Sequence, residues 1–529
     1  MTAVTQASTE MIDSSAGAGS QKASGSAWLA VAAGAIGSFM ATLDISIVNA
    51  ALPTIQGEIG ASATEGTWVA TSYLVAEIVV IPLAAWFERM LGLRRFLLIA
   101  AVLFTIFSVF CGTADSLGVM IIGRIGQGFT GGAMIPTAMS IIAMRLPPSQ
   151  QPIGTAIFGG TVILGPILGP LVGGWLTETF SWHYAFFLNV PICVVLIVLL
   201  IVGLPGRRLD LGELLEADWA GVVGLALGLG ALTVLLEEGH REHWFESSYI
   251  VKLAFVSFAG FLLLAWGQFL ARRPVIKLAL LRNRAFAAVM LLSLVVGVIL
   301  YGVSYVVPQF VAAIAGYNAL QAGQIIVLSG LPALVVLPLL PVAVKFVDLR
   351  VAIGVGLLLM ALGCYLVTDL TAASSGSDFV ASQLIIGAGQ VMAMIFLNQA
   401  AISSVSATDA GDASGLFNAA RNLGGSIGLA VLATLQDKNL GVHRWEIHSV
   451  LSTTDPQVQA SIRQSAAGYG GGSGGLEAAY RAVDGMIQRD ALVMAFNDNF
   501  FVLALTCAAV LPLVLLLRPL PKNFEMAMH

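Results

Sequence analysis

AFAAVMLLSLVVGVILYGVSYVVPQFV, residues 285–311, is an apolar run without a charged side chain. As a helix rising 1.5 Å per residue it extends roughly 40 Å, more than the 30 Å hydrocarbon core of a bilayer. Comparable runs recur along all 529 residues, which are 57% hydrophobic and 10% charged, with a mean hydropathy of +0.89. Soluble domains carry about 25% charged residues, so a water-soluble fold would have too few charges to cover its surface. A transmembrane barrel would show short segments alternating with a period of two, and the unbroken runs exclude it. The fold class is an all-α polytopic membrane protein.

The runs define fourteen spans: 27–51, 66–87, 96–114, 117–142, 152–176, 182–204, 219–237, 249–271, 285–311, 321–344, 351–369, 379–402, 414–436 and 499–517. An even count puts both termini on one side. Most of the 25 Lys and Arg, from Arg89, Arg94 and Arg95 through Arg145, Arg207 and Arg208 to Arg272, Arg273 and Arg518, fall in loops of that side, whereas the short loops opposite hold Arg241. The positive excess marks the cytoplasmic face. Residues 1–26 are polar and lack the basic region and short apolar core of a cleavable signal, so they read as a disordered cytoplasmic tail, with residues 518–529 as a second.

The long outer segment 437–498 reads as amphipathic helix, then the Gly-rich stretch Gly468–Gly475, then helix through Ala478 to Met494. A tolerated insertion and a docking surface for a partner both fit it. Gly471 to Gly475 matches a G-x-S-x-G pattern only through low complexity, and the absence of a Gly-Lys dipeptide removes a phosphate-binding loop. Cys111, Cys193, Cys364 and Cys507 lie inside apolar runs without metal-ligand spacing, and His240 and His243 in an acidic loop read as solvated, so no metal site is indicated. No buried nucleophile with a base is visible, which speaks against an enzyme.

Ionisable groups within a bilayer cost at least a few kcal/mol and are functional candidates by default. Four stand well inside spans: Asp44, Glu77, Arg124 and Arg421. At 1.5 Å per residue Asp44 lies roughly 12 Å below the outer end of its span and Arg124 roughly 10 Å below that of span 4, so the two can pair. Burial favours a neutral carboxyl and a guanidinium favours a charged one, so moving the arginine would switch Asp44 between binding and releasing a proton. A static ion pair joining two helices is the competing reading, and Glu77 has the same two readings. Span 5 carries Gly165, Pro166, Gly169, Pro170, Gly173 and Gly174, a pattern for close helix approach and a kink. The echo of Ile121–Gln127 in Ile385–Gln390 points to a duplication, spans 1–6 and 9–14 with 7 and 8 inserted. Trp68, Tyr73, Tyr301, Tyr305, Asn398 and Arg421 are candidates to line a cavity between the halves.

Taken together, Leu43-Asp44 through Leu52-Pro53, Gly66-Thr67-Trp68, Arg124 with Gln127-Gly128, the span 5 glycines with Pro170, Phe417-Asn418 with Arg421, and Gly425-Ser426-Ile427-Gly428 are recognisable. The chain resembles the 14-span drug:proton antiporters of the major facilitator superfamily, and within them the EmrB type. The resemblance covers nearly the whole chain. It implies a 6 + 2 + 6 arrangement: a half at 27–204, inserted helices 7 and 8 within 205–271, and a half at 272–517 containing the periplasmic loop 437–498 between helices 13 and 14. It further implies export of hydrophobic or amphipathic drugs across a bacterial inner membrane, with the proton gradient as energy source and no cofactor. Asp44, Arg124 and Glu77 would couple protons, the span 5 residues would form the antiporter motif, and Gly92, Arg94 and Arg95 the gating loop. Partners would be a periplasmic membrane fusion protein of the EmrA type and an outer-membrane channel of the TolC type. One departure stands out, since the family's loop motif has an acidic residue where this chain has Arg89. An uptake symporter and a membrane-embedded lipid-modifying enzyme are the alternatives.

Overall fold

The computed structural model describes residues 23–147, 150–206, 218–271, 274–406, 409–450, 456–470 and 472–517, which contain helices and connections and no strand. Of the expected tails 1–26 and 518–529, residues 1–22 and 518–529 lie outside the described residues, whereas Ser24 caps α1 and Gly25 begins it. The principal helices are α1 Gly25–Glu58, α2 Trp68–Leu91, α3 Leu93–Gly112, α4 Leu117–Gly131, α5 Met134–Arg145, α6 Gln151–Thr179, α7 Asn189–Gly203, α8 Trp219–Gly239, α9 Ser248–Leu270 and α10 Arg284–Ala313. They continue with α11 Ala319–Val327, α12 Leu331–Phe346, α13 Leu349–Tyr365, α14 Val380–Ser403, α15 Ala410–Val450, α16 Pro456–Gly468 and α17 Gly472–Ala509. Lipid offers no hydrogen bonds, so helices that satisfy their own backbone are the form these apolar runs take.

Among the described residues, ten helical stretches are long and apolar enough to cross a membrane, or eleven with the bent α6. The count falls short of fourteen for identifiable reasons. Span 4 is divided into α4 and α5 around Gly132 and Ala133, α13 has 17 residues, and α15 carries Asn418, Arg421 and Asn422 within its apolar stretch. Buried apolar side chains gather in two main clusters, one drawn from Ala27 to Leu204 and the other from Phe286 to Leu517.

Small residues set how closely helices approach. Along α6, a Cβ on Gly165 would strike Thr42, one on Gly169 would strike Ser46, and one on Gly173 would come within 2.8 Å of the Ile47 carbonyl oxygen of α1. The second cluster repeats the device, with Gly424 of α15 against the Leu294 carbonyl and Gly297 of α10 against that of Arg421. The helices α8 and α9 form a third such pair, in which Gly228 and Gly260 meet backbone to backbone and Ser257 Oγ donates to the Gly228 carbonyl at 2.9 Å. The α6 helix bends by 42° at Pro166. The carbonyl of Pro166 accepts from Ser46 Oγ at 3.4 Å.

Among its described residues the segment 437–498 is almost wholly helical, and its first and last helices continue into the neighbouring stretches of chain. The α15 helix runs unbroken to Val450, α16 ends at Gly468, and Gly472 already starts α17; the turn between them places Gly470 at φ 94° and Gly472 at φ 66°. At its base His443 Nε2 lies 2.7 Å from Asp498 and Nδ1 lies 3.1 Å from Glu446. Partial burial opposes charge on this ring, but hydrogen bonds to the two carboxylates outweigh it and hold the pKa above the ordinary 6.5. A raised folded pKa means this clamp contributes fully below pH 6.5 and is lost as pH rises through the folded value. Spin labels on exposed Val442 and Met494 should therefore report a narrow distance distribution at about pH 6 that broadens by about pH 9. His443→Gln should be broad at both, and a wild-type distribution indifferent to pH would remove the clamp.

Candidate functional site

Asp44 and Arg124 are both fully buried, and Arg124 Nη1 donates to Asp44 Oδ2 at 2.6 Å. The other carboxylate oxygen accepts from Asn189 Nδ2 at 2.6 Å and Gln127 Nε2 at 3.2 Å. Ser108 Oγ takes hydrogen bonds from the same two amides, at 3.0 Å and 2.7 Å. The guanidinium also donates through Nε to the Val69 carbonyl at 3.0 Å and through Nη1 to Gln127 Oε1 at 3.0 Å, while its carbon sits 4.3 Å from the centre of the Tyr73 ring. Its Nη2 has no hydrogen-bond partner among the described residues.

The network thus ties α1, α2, α3, α4 and α7 together. Each oxygen of Asp44 accepts at least one hydrogen bond, so its charge is compensated within the protein. Breaking a buried pair by removing one partner costs about 3–5 kcal/mol, because the remaining charge is left uncompensated. Tyr73, a candidate cavity residue by sequence, lies inside this core beneath Arg124, with its hydroxyl 3.4 Å from the Ala41 carbonyl.

Glu77 lies two turns of α2 below Val69 and is 2% exposed. It makes no hydrogen bond or ion pair among the described residues, and its side chain packs against the backbone of Gly132, at the α4–α5 break. Close by is a cavity whose wall comes from α2, α8, α10 and α15 and includes Tyr301, Asn422, Ser426 and Glu237. Tyr301 Oη donates to Asn422 Oδ1 at 3.3 Å, and Arg421 Nη2 donates to the same oxygen at 3.4 Å. Tyr305 packs against the second apolar cluster, Trp68 is half-buried at the start of α2, and the Oδ1 of Asn398 is buried on α14 without a partner. Glu237 carries no sequence signal, because it falls on the last position of a span whose limits the sequence places only to within a few residues.

At the other end of α2 a second constellation appears that the sequence does not announce. Arg89 Nη1 donates to both carboxylate oxygens of Asp412 at 3.1 Å, across 323 positions of chain. Lys277 Nζ sits 2.5 Å from Asp409 and 3.3 Å from the same Asp412, whose side chain is 2% exposed. The departure at Arg89 therefore has a counterpart in the acidic start of α15. Gly92, at φ 75°, makes the turn from α2 into α3, while Arg94 is half-buried and Arg95 exposed beyond it. In span 5, Gly165, Gly169 and Gly173 face α1, Gly174 faces open space, and Pro170 touches α11 at Gly323.

A family model described as Major Facilitator Superfamily matches residues 34–429. The chain is 31% identical over 481 residues to the colistin resistance protein EmrB of Acinetobacter baumannii, covering 90% of this chain and 94% of that one. It is 30% identical over 432 residues to the multidrug export protein EmrB of Escherichia coli, covering 81% and 84%. Among solved structures, the proton:xylose symporter XylE bound to a bromodeoxyglucose superposes with a TM-score of 0.56 at 15% identity over 90% of this chain and 94% of that one, a likeness of fold. The chain belongs to the Major Facilitator Superfamily, as an EmrB-like multidrug efflux protein, a multi-pass membrane transporter and not an enzyme.

Proposed function

We propose that the protein is a proton-coupled antiporter that exports hydrophobic or amphipathic compounds across the inner membrane by alternating access. The observation that carries this reading is the fully buried Asp44–Arg124 pair, whose partners Val69 and Tyr73 lie on α2. The same helix carries Glu77 toward the cavity and Arg89 to the ion pairs with α15. A proton arriving from outside displaces Arg124 from Asp44, the guanidinium pulls on its contacts to α2, and α2 transmits the shift to cavity and latch. Glu77, without a bonded partner, is a second position for a proton on that route.

In this reading the chain crosses the membrane fourteen times as 6 + 2 + 6, with both termini cytoplasmic. The Arg89–Asp412–Lys277 cluster closes the cytoplasmic side in the conformation observed. The segment 437–498 stands in the periplasm, where exposed Trp445, Tyr469 and Tyr480 suit a membrane fusion protein of a tripartite pump with an outer-membrane channel. The EmrB relatives named above support the exporter over an uptake symporter, as does the glycine-packed, bent α6.

In everted vesicles, adding substrate should release protons from the wild type, whereas Asp44→Asn should bind substrate and release none, since the amide fills the same volume and cannot titrate. Arg124→Lys should fail as well, because an ammonium cannot span the Val69 carbonyl, Gln127 and the carboxylate at once. Normal coupling in either variant contradicts the mechanism. Latch closure is tested separately: Asp412→Asn removes both of its ion pairs, and Ser140→Cys, at a position beside Gly411 of α15, reports opening. Because the four native cysteines are buried, thiol labelling from the cytoplasmic side should rise about 5-fold when Asp412→Asn is added to Ser140→Cys, the equivalent of about 1 kcal/mol. An unchanged rate would mean that the cluster does not hold the gate.

A further inference from the structure

We propose that Glu237 makes the wall contributed by the inserted helix pair a recognition site for the cationic head of an amphipathic substrate, such as an alkylammonium. The proposal deepens the exporter reading and rests on it. The pair α8–α9 is held together by its own glycine contacts and by Ser257, and α8 packs onto both α2 and α15. The pair is therefore more than a spacer in lipid, because it closes one side of the cavity and delivers a carboxylate to it.

The chemistry of that wall is specific. Glu237 Oε1 accepts one hydrogen bond, from Ser426 Oγ at 3.2 Å, and has no ion-pair partner among the described residues. Its neighbour Glu238 pairs with Arg241 and turns to the loop. Arg421 is engaged with Asn422 and does not line the cavity, so Glu237 is the only charged group on its wall among the described residues. Tyr301 adds an aromatic ring, and Leu74 and Ile78 an apolar floor. A carboxylate in so dry a setting lacks a compensating charge, and an ammonium with an apolar tail supplies both halves of what is missing: a cation for Glu237, ring and hydrocarbon contact for the rest. Neutral compounds gain only the apolar part, and anions are repelled.

The test uses purified full-length protein in nanodiscs, with radiolabelled decyltrimethylammonium and decanol as charged and neutral probes and empty nanodiscs as background. Glu237→Gln should weaken ammonium binding about 10-fold or more while changing decanol binding less than about 2-fold, and Glu237→Asp should retain most of the preference. Equal loss of both probes, or no loss of either, overturns the assignment. Should Glu237→Gln not assemble, Ser426→Ala removes the hydrogen bond that aims the carboxylate, and a fall in ammonium affinity alone supports the proposal while no change overturns it. Proton release by wild-type everted vesicles on adding either probe, decyltrimethylammonium or decanol, is measured alongside. If that persists while Glu237→Gln binds ammonium normally, only the Glu237 site falls; if it is absent in the wild type, the exporter reading falls and the binding result stands on its own.

Discussion

A guanidinium cannot remain in hydrocarbon without a partner, and the architecture of the first bundle is organised around meeting that demand for Arg124. Its carboxylate comes from α1, its backbone acceptor and aromatic face from α2, and its amide neighbour from its own helix. Asn189 and Ser108 then complete the shell of Asp44 from α7 and α3. Apart from the Arg124–Gln127 contact within α4, these hydrogen bonds cross between helices, so the five helices are held in one relative arrangement. Apolar contacts alone would not achieve this, because lipid tails pack against leucine as well as another helix does.

That demand also dictates the backbone. For α1 to present Asp44 inward, its opposite face has to lie directly on α6, and only the absence of side chains at Gly165, Gly169 and Gly173 permits that approach. In the second bundle Gly424 of α15 and Gly297 of α10 each admit the other helix's backbone by the same means. A single methyl at any of these positions would meet backbone or Cβ atoms, which cannot yield as a flexible side-chain tip can.

Much of this was legible in the chain. Charges are so scarce in apolar runs that Asp44, Glu77, Arg124 and Arg421 identified themselves, and the rise of a helix placed the first and third at one depth. Asn189 and Ser108 were not legible, since an uncharged polar residue inside a span carries no comparable signal. Arg89 and Asp412 were hidden by their separation, because sequence spacing says nothing about partners in different bundles. Glu237 was hidden by its position at a span limit, where a shift of one turn decides whether a carboxylate meets water or a cavity.

The unbroken course of α15 has a mechanical consequence. Its 41 residues form a rod of roughly 60 Å, with Asp412 near one end, Arg421 and Ser426 along the first half, and His443 toward the other. A stiff rod rotating about its middle moves both ends at once, so a tilt of about 10° would sweep each tip through about 5 Å in opposite directions. Whatever touches the far tip is thereby informed, by displacement alone, of whether the near end is latched. In the proposed transport cycle the helix would be a pointer as well as a wall, displaying the state of the gate at one end through the position of the other.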